Sequence, residues 1–567
     1  SGGITVDPFS LSCYGPTRVG RRGHHPDLQD ESVLRTMTDT LLETDGATAL
    51  ERVVTSTDAN TLGRYWLGAG SLALLASLLT GVLVAFERLD LGGAEVFGSA
   101  DEVFQFWSAH RVGLVLLAIV PILVGLGTAV APLQVGSDSI AFPRMAAFSF
   151  WTWLIGAGTT VTGFLIDGGL GAPDAGGQRQ AVALTLVGLL MVIGGLLGAT
   201  VSLLTTIVCG RVVGLTLHRI PLFSWTLLVA GTFWLLTLPV LAANVVLAYV
   251  DLRGRTAVRF GAEDAIWEQL SWAFSHPQVY AFALPLVGIA FDIVPVSVRN
   301  RLVNHNAVLV LTTMLGVVGF GAYAQSFFDT PGTPVLNEAI YVVYAFAALL
   351  VALALFGGLA DTLRRGAANL GSGAGNRPPA PMVLSVLAML LLLVAAAVGA
   401  LRAVDPFDLL DTSATGAQMT LTMGAAFVGA MAGTLWWGDR IFGRVSSQGL
   451  GLLAGLAAVV GVLLLGVADL LSGFMGQNDF TGASVAAAGS PDSGVDALNL
   501  VALVGAVLLL AGAIGWFANG IRRLTGVAAP ADPWGGHTLE WTADPSSVEV
   551  TSERPLLDAL ENSGVAS

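Results

Sequence analysis

Two histidines in apolar segments are the residues best suited to do chemistry in this sequence. His110 and His276 each lie within, or at the end of, a long apolar stretch. Ionisable side chains are costly inside a membrane and mark functional sites when they occur there. Two histidines far apart in the sequence are weak evidence for a metal site. A hydrogen-bonded position in the protein core is the simpler interpretation of each. The other five histidines lie in polar ends or near predicted loops: His24, His25, His218, His305 and His537.

The segment SHPQVYAFALP, residues 275–285, contains one of these histidines. It combines a histidine, a proline and a tyrosine in otherwise apolar surroundings, which is typical of one wall of a buried redox-metal site. Copper or iron with nitrogen ligands usually takes two or more protein ligands in a defined geometry. The function therefore depends on whether the rest of the chain supplies the other ligands.

Composition places these residues in a membrane protein. Of the 567 residues, 54% are hydrophobic and 12% are charged, and the mean hydropathy is +0.74. Soluble domains average about 25% charged residues, so the chain is predicted to cross a membrane many times. The net charge of −14 argues against nucleic-acid binding. All 26 basic residues are arginine, and the chain contains no lysine.

Apolar runs of about 20 residues predict an all-α protein with twelve transmembrane helices. Residues 1–62 and 525–567 form polar tails on either side of a membrane domain at 63–524, and no cleavable signal peptide is expected. The predicted spans are 64–86, 110–133, 146–168, 180–208, 221–250, 267–297, 306–328, 337–362, 381–401, 415–437, 449–471 and 497–520.

Arginine placement predicts the orientation of these spans. With twelve helices, 19 of the 26 arginines fall on the side of the N-terminus. Positive charges concentrate in cytoplasmic loops. We therefore expect both termini in the cytoplasm and the protein in a prokaryotic cell membrane.

Several segments resemble subunit I of the heme-copper oxidases, the cytochrome c oxidase family. The resemblance runs from about residue 60 to 545 and implies the twelve-helix arrangement of that subunit. Residues 109–151 are similar to its second and third helices, residues 221–242 to its fifth, and SHPQVYAFALP to its sixth-helix motif. Residues 411–427 are similar to the tenth helix, and DPWGGHTLEW at 532–541 resembles a tail motif of bacterial members.

The resemblance retains two of the family's six histidine ligands. His110 matches the ligand of the low-spin heme at the start of the second helix. His276 matches the copper ligand of the sixth helix, and Tyr280 matches the tyrosine that the family cross-links to that histidine. His276 and Tyr280 are interpreted as vestiges of the copper site, whereas His110, Gln418 and Met419 mark a vestigial low-spin heme site, and no catalytic or metal-binding residue is assigned.

The other four ligand positions carry different residues. The copper-binding pair of the seventh helix falls on Gln325 and Ser326, and the His-x-His pair of the tenth helix falls on Gly416 and Gln418. Glycine has no side chain to ligate iron, and glutamine and serine are poor copper ligands compared with imidazole. The resemblance also implies paired arginines for the heme propionates, but no arginine occurs between Arg444 and Arg522.

The family's proton routes are also interrupted in this sequence. The lysine of the eighth helix falls near Ala354. The entrance aspartate and asparagine of the second route fall on Ser139 and Ala146, and the glutamate at its end is Gln278. Asp138, one residue from the expected entrance, is an alternative entry group.

Three hypotheses follow for the function. The first is a degenerate, non-catalytic structural subunit of a respiratory or other redox complex, without cofactors. The second is a carrier with one heme, held by His110 and by Gln418, Met419 or Met423. The third is an oxidase that reduces oxygen with ligands assigned differently or supplied by a partner chain.

The resemblance implies partners similar to subunits II and III, lipids, and either a complete second subunit I or another catalytic redox unit. Empty heme pockets would be costly to maintain. We therefore expect the high-spin pocket to be filled by side chains or lipid, and the low-spin pocket to lack heme. Glycine 416 is expected to allow a neighbouring helix to approach. The candidate fillers are Phe320, Phe327, Phe328, Met419, Trp436 and Trp437.

Overall fold

The described residues of the computed structural model contain twelve main helices, one for each predicted apolar run. The structure describes residues 48–89, 96–171, 176–254, 266–276, 278–320, 335–371, 378–410, 412–479, 493–536 and 538–542. The helices are α1 (Ala59–Glu87), α2 (Ala100–Val135), α3 (Pro143–Leu165), α4 (Gly176–Cys209), α5 (Leu222–Leu252), α6 (Val279–Ser297), α7 (His305–Val317), α8 (Val335–Gly366), α9 (Ala380–Arg402), α10 (Ala414–Trp436), α11 (Gln448–Phe474) and α12 (Ser493–Arg523).

Ten of these helices are long and apolar enough to cross a membrane. The other two are α3, which has 23 residues, and α7, which has 13. Two central helices, α2 and α6, are buried throughout their most apolar stretch, whereas α8, α1, α5 and α12 expose most of theirs. The exposed leucine, valine and phenylalanine side chains are therefore on helices that face lipid, and the candidate residues lie on the helices inside the bundle.

The sixth predicted span is not one continuous helix. A short helix at Ile266–Leu270 and a 3-10 turn at Ser271–Phe274 precede α6, and Ser275 has an extended backbone with ψ 162°. The sequence continues with histidine and proline, and a residue before proline is disfavoured in the helical conformation. His276 therefore stands at a break in the helix.

Helix α2 is also irregular near its candidate residue. Residues Gly113–Ile119 form a π-helical stretch that begins three residues after His110. Such stretches are rare and are often found at functional sites. The sequence continues with Pro121, which lacks the backbone donor that an α-helix requires, so the wider turn accommodates a locally disturbed hydrogen-bond pattern.

The start of the predicted C-terminal tail is packed against the helices. Trp534 stacks on Trp436 at the end of α10, with 4.6 Å between ring centroids and 12° between planes. Its indole nitrogen donates a hydrogen bond to the Trp436 carbonyl oxygen at 3.0 Å, and Trp541 is buried. Residues 534–536 and 538–541 therefore cover one end of the bundle.

The predicted orientation has a direct test. A reporter that is active only in the cytoplasm, fused after Leu524, should be active because the arginine-rich loops lie on that side. The same reporter fused after Val404, in the loop between α9 and α10, should be inactive. The opposite pattern would show that the orientation is reversed.

Candidate functional site

An elongated cavity lies beside His110, between α1, α2, α10, α11 and α12. It holds about 820 Å³ of space that no protein atom fills, part of it open to the exterior. Most of its wall is apolar. The lining residues with charged, polar, indole or sulfur-bearing side chains are Arg88, Trp107, His110, Arg111, Met419, Thr420, Met423 and Asp469. The site at which the sequence predicts a low-spin heme pocket is therefore an open cavity beside His110.

The His110 ring is held in one orientation. Its Nδ1 lies 2.6 Å from the carbonyl oxygen of Ser77, which can only accept a hydrogen bond. Nδ1 must therefore carry the proton in the neutral ring, and the lone pair is on Nε2. A Cβ at Gly81 would come within 2.6 Å of the ring, so this glycine allows α1 to pack against it. A backbone acceptor on the second nitrogen is the usual arrangement of a metal-ligating histidine.

Of the residues on α10 that were predicted as ligand partners of His110, two lie beside it in the structure and one does not. Met419 and Met423, one turn apart, line the same cavity as His110. Gln418 does not reach that cavity: it interacts with Tyr280, and its amide nitrogen donates to Thr422 Oγ1 at 3.1 Å. Adjacent helical residues point about 100° apart, so Gln418 and Met419 cannot serve the same pocket. The assignment of Gln418 to the low-spin site is therefore wrong.

Two buried ion pairs close one end of the cavity. Arg88 Nη1 is 2.5 Å from Asp469 Oδ1, and Arg111 Nη2 is 2.6 Å from Asp479 Oδ1. Neither arginine was predicted as a partner for heme propionates, because the family's paired arginines correspond to the segment between Arg444 and Arg522. Arg111 within α2 and Asp469 within α11 were the signal in the sequence, because charged residues inside apolar segments mark functional sites.

Gly416 makes room for one of these ion pairs rather than for a neighbouring helix. Its backbone nitrogen donates to Asp479 Oδ1 at 3.1 Å. A Cβ at this position would lie 2.7 Å from the same oxygen and 2.9 Å from Arg111 Nη2. The expected close helix approach at Gly416 is therefore wrong, and the space is filled by a carboxylate and a guanidinium group.

His276 lies in a separate, tightly packed compartment. Its Nδ1 is 3.0 Å from Tyr280 Oη, and Tyr280 Oη donates to the Ala395 carbonyl oxygen at 3.2 Å. A Cβ at Gly399 would overlap the imidazole, so α9 packs directly on the ring. His276 Nε2 is buried without a hydrogen-bond partner. The pairing of His276 with Tyr280 is thus present as the sequence suggested.

A buried cation stands beside this pair. Arg402, in the last turn of α9, is 1% exposed, and its three guanidinium nitrogens have no hydrogen-bond partner. Its charge interacts electrostatically with His276 and Tyr280. Arg402 directly follows the predicted span at 381–401, and a charge at the end of an apolar run was the signal that could have singled it out.

No group of three or more histidine, cysteine or acidic side chains suited to a metal occurs within the described ranges. Gln325, Ser326, Phe327 and Phe328 lie outside the described residues. Among the described residues, the surroundings of His276 therefore do not fit a copper ion, because its imidazole is accompanied by the Tyr280 phenol and by the buried guanidinium group of Arg402.

The predicted tryptophan fillers lie far from both histidines. Trp436 stacks on Trp534, and Trp437 stacks on Phe223 at 4.9 Å. They follow Gln418 by about 18 residues, which corresponds to about 27 Å along a helix. Trp436 and Trp437 therefore pack one end of the bundle and fill neither pocket, so this part of the prediction is wrong.

Two other expected fillers have different positions. Phe320 is 37% exposed and packs against Phe233 at 5.2 Å, so it lies toward the outside of the bundle. Met419 does line the open cavity beside His110.

The structure shows where the residues at the interrupted proton routes lie. Asp138 and Ser139 lie in an exposed loop before α3, and Ala146 is buried on α3. Gln278 is buried, and its amide nitrogen has no hydrogen-bond partner. Ala354 is exposed on α8. A lysine at position 354 would therefore point outward, and this residue is not the equivalent of an inward-facing proton carrier.

Sequence analysis also missed a polar network at the end of the bundle near the tail. Asp292 of α6 accepts hydrogen bonds from the backbone nitrogens of Leu222, at 2.8 Å, and Phe223, at 3.0 Å. It also accepts one from Gln134 Nε2 at 2.9 Å, and Ser224 Oγ donates to Gln134 Oε1 at 2.7 Å. The carboxylate thus satisfies the open donors at the start of α5.

Glu540 of the packed tail joins this network. It is 4% exposed, shares a small cavity with Asp292, Arg219 and His305, and has one carboxyl oxygen without a hydrogen bond. Burial raises the pKa of the Glu540 carboxyl above its ordinary value, although hydrogen bonds offset part of the effect. Docking of the tail is therefore coupled to protonation of this group.

Tail docking should weaken as the pH rises. Below the ordinary pKa, Glu540 is neutral in the docked and the released tail. Between the ordinary and the raised pKa only the released form ionises, so stability of the docked form is lost through this window. Hydrogen exchange of residues 534–536 and 538–541 should slow in Glu540→Gln relative to wild type near neutral pH, and the two should converge in acid. An equal difference at every pH would contradict the coupling.

Comparison with known proteins places this arrangement in a family. Residues 61–508 match the family model described as cytochrome C and quinol oxidase polypeptide I. The chain is 28% identical over 548 residues to a probable cytochrome c oxidase subunit 1-beta of Nocardia farcinica, covering 90% of this chain and 88% of that protein. It is 27% identical to cytochrome c oxidase subunit 1 of Bacillus subtilis, covering 86% and 78%.

The fold agrees with these relationships. A heme-copper terminal oxidase dimer solved by cryo-electron microscopy contains a chain that superposes with a TM-score of 0.66, at 17% sequence identity, over 89% of each chain. At that identity the likeness concerns the fold alone. The family match over most of the membrane domain, together with the twelve-helix arrangement, shows that this chain belongs to the subunit I family of the heme-copper oxidases.

Proposed function

We propose that this chain is a structural membrane subunit of a redox complex and does not itself reduce oxygen. The observation that carries the proposal is the buried, unpaired guanidinium group of Arg402 beside His276 and Tyr280. A copper ion placed there would add positive charge next to a guanidinium group that no described residue pairs, in a low-dielectric interior where repulsion is strong. Gly399 also packs directly against the imidazole.

The residues around His276 support the same conclusion. Gln418 bonds to Thr422 on its own helix, and Tyr280 donates to the Ala395 carbonyl oxygen. These contacts hold the polar groups of the compartment against α9 and α10. The compartment is thus described best as a packing interface between helices.

Metal and heme content of the purified chain tests the proposal. Elemental analysis should find no stoichiometric copper, and the reduced spectrum should lack the band of a high-spin heme. Stoichiometric copper with two hemes would overturn the proposal and favour an oxidase, with ligands from outside the described ranges or from a partner chain.

His276→Ala should leave oxygen reduction by the purified complex unchanged. The substitution should cost about 1–3 kcal/mol of stability, because Tyr280 loses a buried hydrogen-bond partner. Respiration with a complex containing the variant, together with its thermal unfolding, measures both effects. Tyr280→Phe, which removes the same hydrogen bond from the other side, is the matched control. Complete loss of oxygen reduction would instead reveal an active metal centre.

A second candidate function, a carrier with one heme, is favoured by the His110 cavity. The chain holds the Nε2 lone pair of His110 beside the cavity that Met419 and Met423 line, and the residues therefore fit a low-spin heme in part. Bound there, a heme would supply one-electron transfer, which His-Met ligation supports. Arg88 and Arg111 would contribute positive charge at one end, although both are already paired.

The spectrum of the purified chain separates the two candidates. One low-spin heme that is lost in His110→Ala and altered in only one of Met419→Leu and Met423→Leu would favour the carrier. We further propose that subunits similar to II and III and a catalytic redox unit complete the complex. Co-purification from native membranes, followed by identification of the associated chains, tests this assembly.

A further inference from the structure

A second groove lies at the end of the bundle where α1 begins and α12 ends. It holds about 850 Å³ between α1, α10 and α12, and it is open on one side. Leu67, Phe517 and Leu524 contribute apolar walls, whereas Arg64 and Arg523 line it with positive charge. None of the described residues that line it is acidic. We propose that this groove binds an anionic phospholipid, with the phosphate at the two arginines and an acyl chain along α1 and α12.

The polar end of the groove has unused hydrogen-bond donors. Arg523 is 4% exposed; its Nη1 donates to the Thr434 carbonyl oxygen at 3.0 Å, but its Nε has no partner. Ser446 Oγ, also buried and also lining the groove, has no partner either. Buried donors without partners are costly, and phosphate oxygens are strong acceptors for them.

The charge at this end is positive. The guanidinium carbons of Arg64 and Arg523 lie 5.5 and 5.6 Å from the centroid of the Phe442 ring, so both cations are close to one side chain. Asp439 is the carboxylate paired with Arg523, at 3.5 Å. Two cations with one carboxylate leave a net attraction for an anion.

The apolar part distinguishes a lipid from other anions and from an uncharged ligand. A free phosphate ion would need the arginines but not the apolar walls, whereas an uncharged quinone would need the walls but not two cations. The groove also lies on the predicted cytoplasmic side, where anionic headgroups collect and each basic residue contributes about 1 kcal/mol of attraction. A phospholipid accounts for both halves of the groove.

Two glycines provide variants that block the groove without disturbing the packing. A Cβ at Gly68 or Gly520 would have no heavy atom within 4 Å, and both residues line the groove. Gly520→Leu should therefore fill the acyl-chain position while the helices stay packed. Gly194 of α4 has equally open surroundings and lies away from the groove, so Gly194→Leu is its control.

The full-length protein, purified in detergent, is tested by native mass spectrometry with phosphatidylglycerol and phosphatidylcholine of identical acyl chains. Wild type should retain one phosphatidylglycerol in preference to phosphatidylcholine. Arg64→Gln should reduce that preference about fivefold, which corresponds to about 1 kcal/mol for one basic residue. Arg522→Gln, which changes an exposed neighbour outside the groove, and Gly194→Leu should leave it unchanged, and Gly520→Leu should remove it.

Three outcomes would overturn the proposal. Equal retention of the two lipids by wild type would show that the arginines do not select the headgroup. Displacement of the lipid by millimolar inorganic phosphate alone would show a simple anion site, and retention of quinone in place of lipid would show a redox ligand. None of these outcomes depends on whether the chain carries heme or copper, so the test is independent of the proposed function.

Discussion

Asp469→Ala should destabilise the protein by about 3–5 kcal/mol. The substitution leaves Arg88 buried without its counter-charge, and breaking a buried ion pair by removing one partner typically has that cost. Arg88 Nη1 and Asp469 Oδ1 are 2.5 Å apart, and both side chains are less than a tenth exposed. The Asn499 side chain donates to the Arg88 carbonyl oxygen at 3.3 Å, so the surrounding backbone is anchored as well.

Thermal and denaturant unfolding of the purified protein measure this effect. The control is Asp361→Ala, since Asp361 pairs with Arg364 and Arg365 on the exposed face of α8, and exposed pairs contribute little. The double variant Arg88→Met with Asp469→Leu should recover most of the stability, because apolar side chains of similar volume often replace a buried pair without cost. A single variant as stable as wild type would show that Arg88 finds another partner.

Arg402→Met, in contrast to Asp469→Ala, should increase the free energy of unfolding by about 2–3 kcal/mol. An uncompensated buried charge costs several kcal/mol. Arg402 lies in the last turn of α9, where the helix dipole stabilises a positive charge by at most about 2 kcal/mol. Methionine keeps an unbranched, adaptable side chain in the same space and removes the charge beside His276 and Tyr280.

Arg402→Lys is the matched control for this prediction. Lysine keeps a positive charge and a long side chain, so the variant should not gain the same stability. Unfolding of both variants beside wild type is the measurement. If Arg402→Met were instead destabilised, the guanidinium group would have a counter-charge, and the argument against a cationic metal beside His276 would lose its basis.

The pattern of apolar residues was sufficient to predict the architecture. Each of the twelve predicted spans overlaps one of the helices, because the cost of exposing backbone donors and acceptors in lipid imposes helices on long apolar runs. The sixth span was predicted as one helix, but the structure divides it into shorter segments. The Ser-His-Pro sequence contained the physical reason for the break. The choice of His110 and His276 as the intramembrane histidines also follows from sequence alone.

The sequence could not predict which side chains of α10 face which compartment. Gln418 and Met419 are neighbours in the chain but serve different compartments, since successive helical residues point in different directions. Gly416 was expected to admit a helix, whereas it admits the carboxylate of Asp479 and the guanidinium of Arg111. Only the relative rotation of α10 against α2 and α6 decides which residue faces which pocket.

The sequence by itself determined that this is a twelve-helix membrane protein with two intramembrane histidines, because hydropathy and residue type are local properties. The tertiary structure alone decided what surrounds those histidines. Arg88 and Asp469 are 381 positions apart, and Arg111 and Asp479 are 368 apart, so no local pattern could pair them. Arg402 was equally hidden: whether a charge at a helix end reaches water or is buried depends on the neighbouring helices, and here it is buried beside His276.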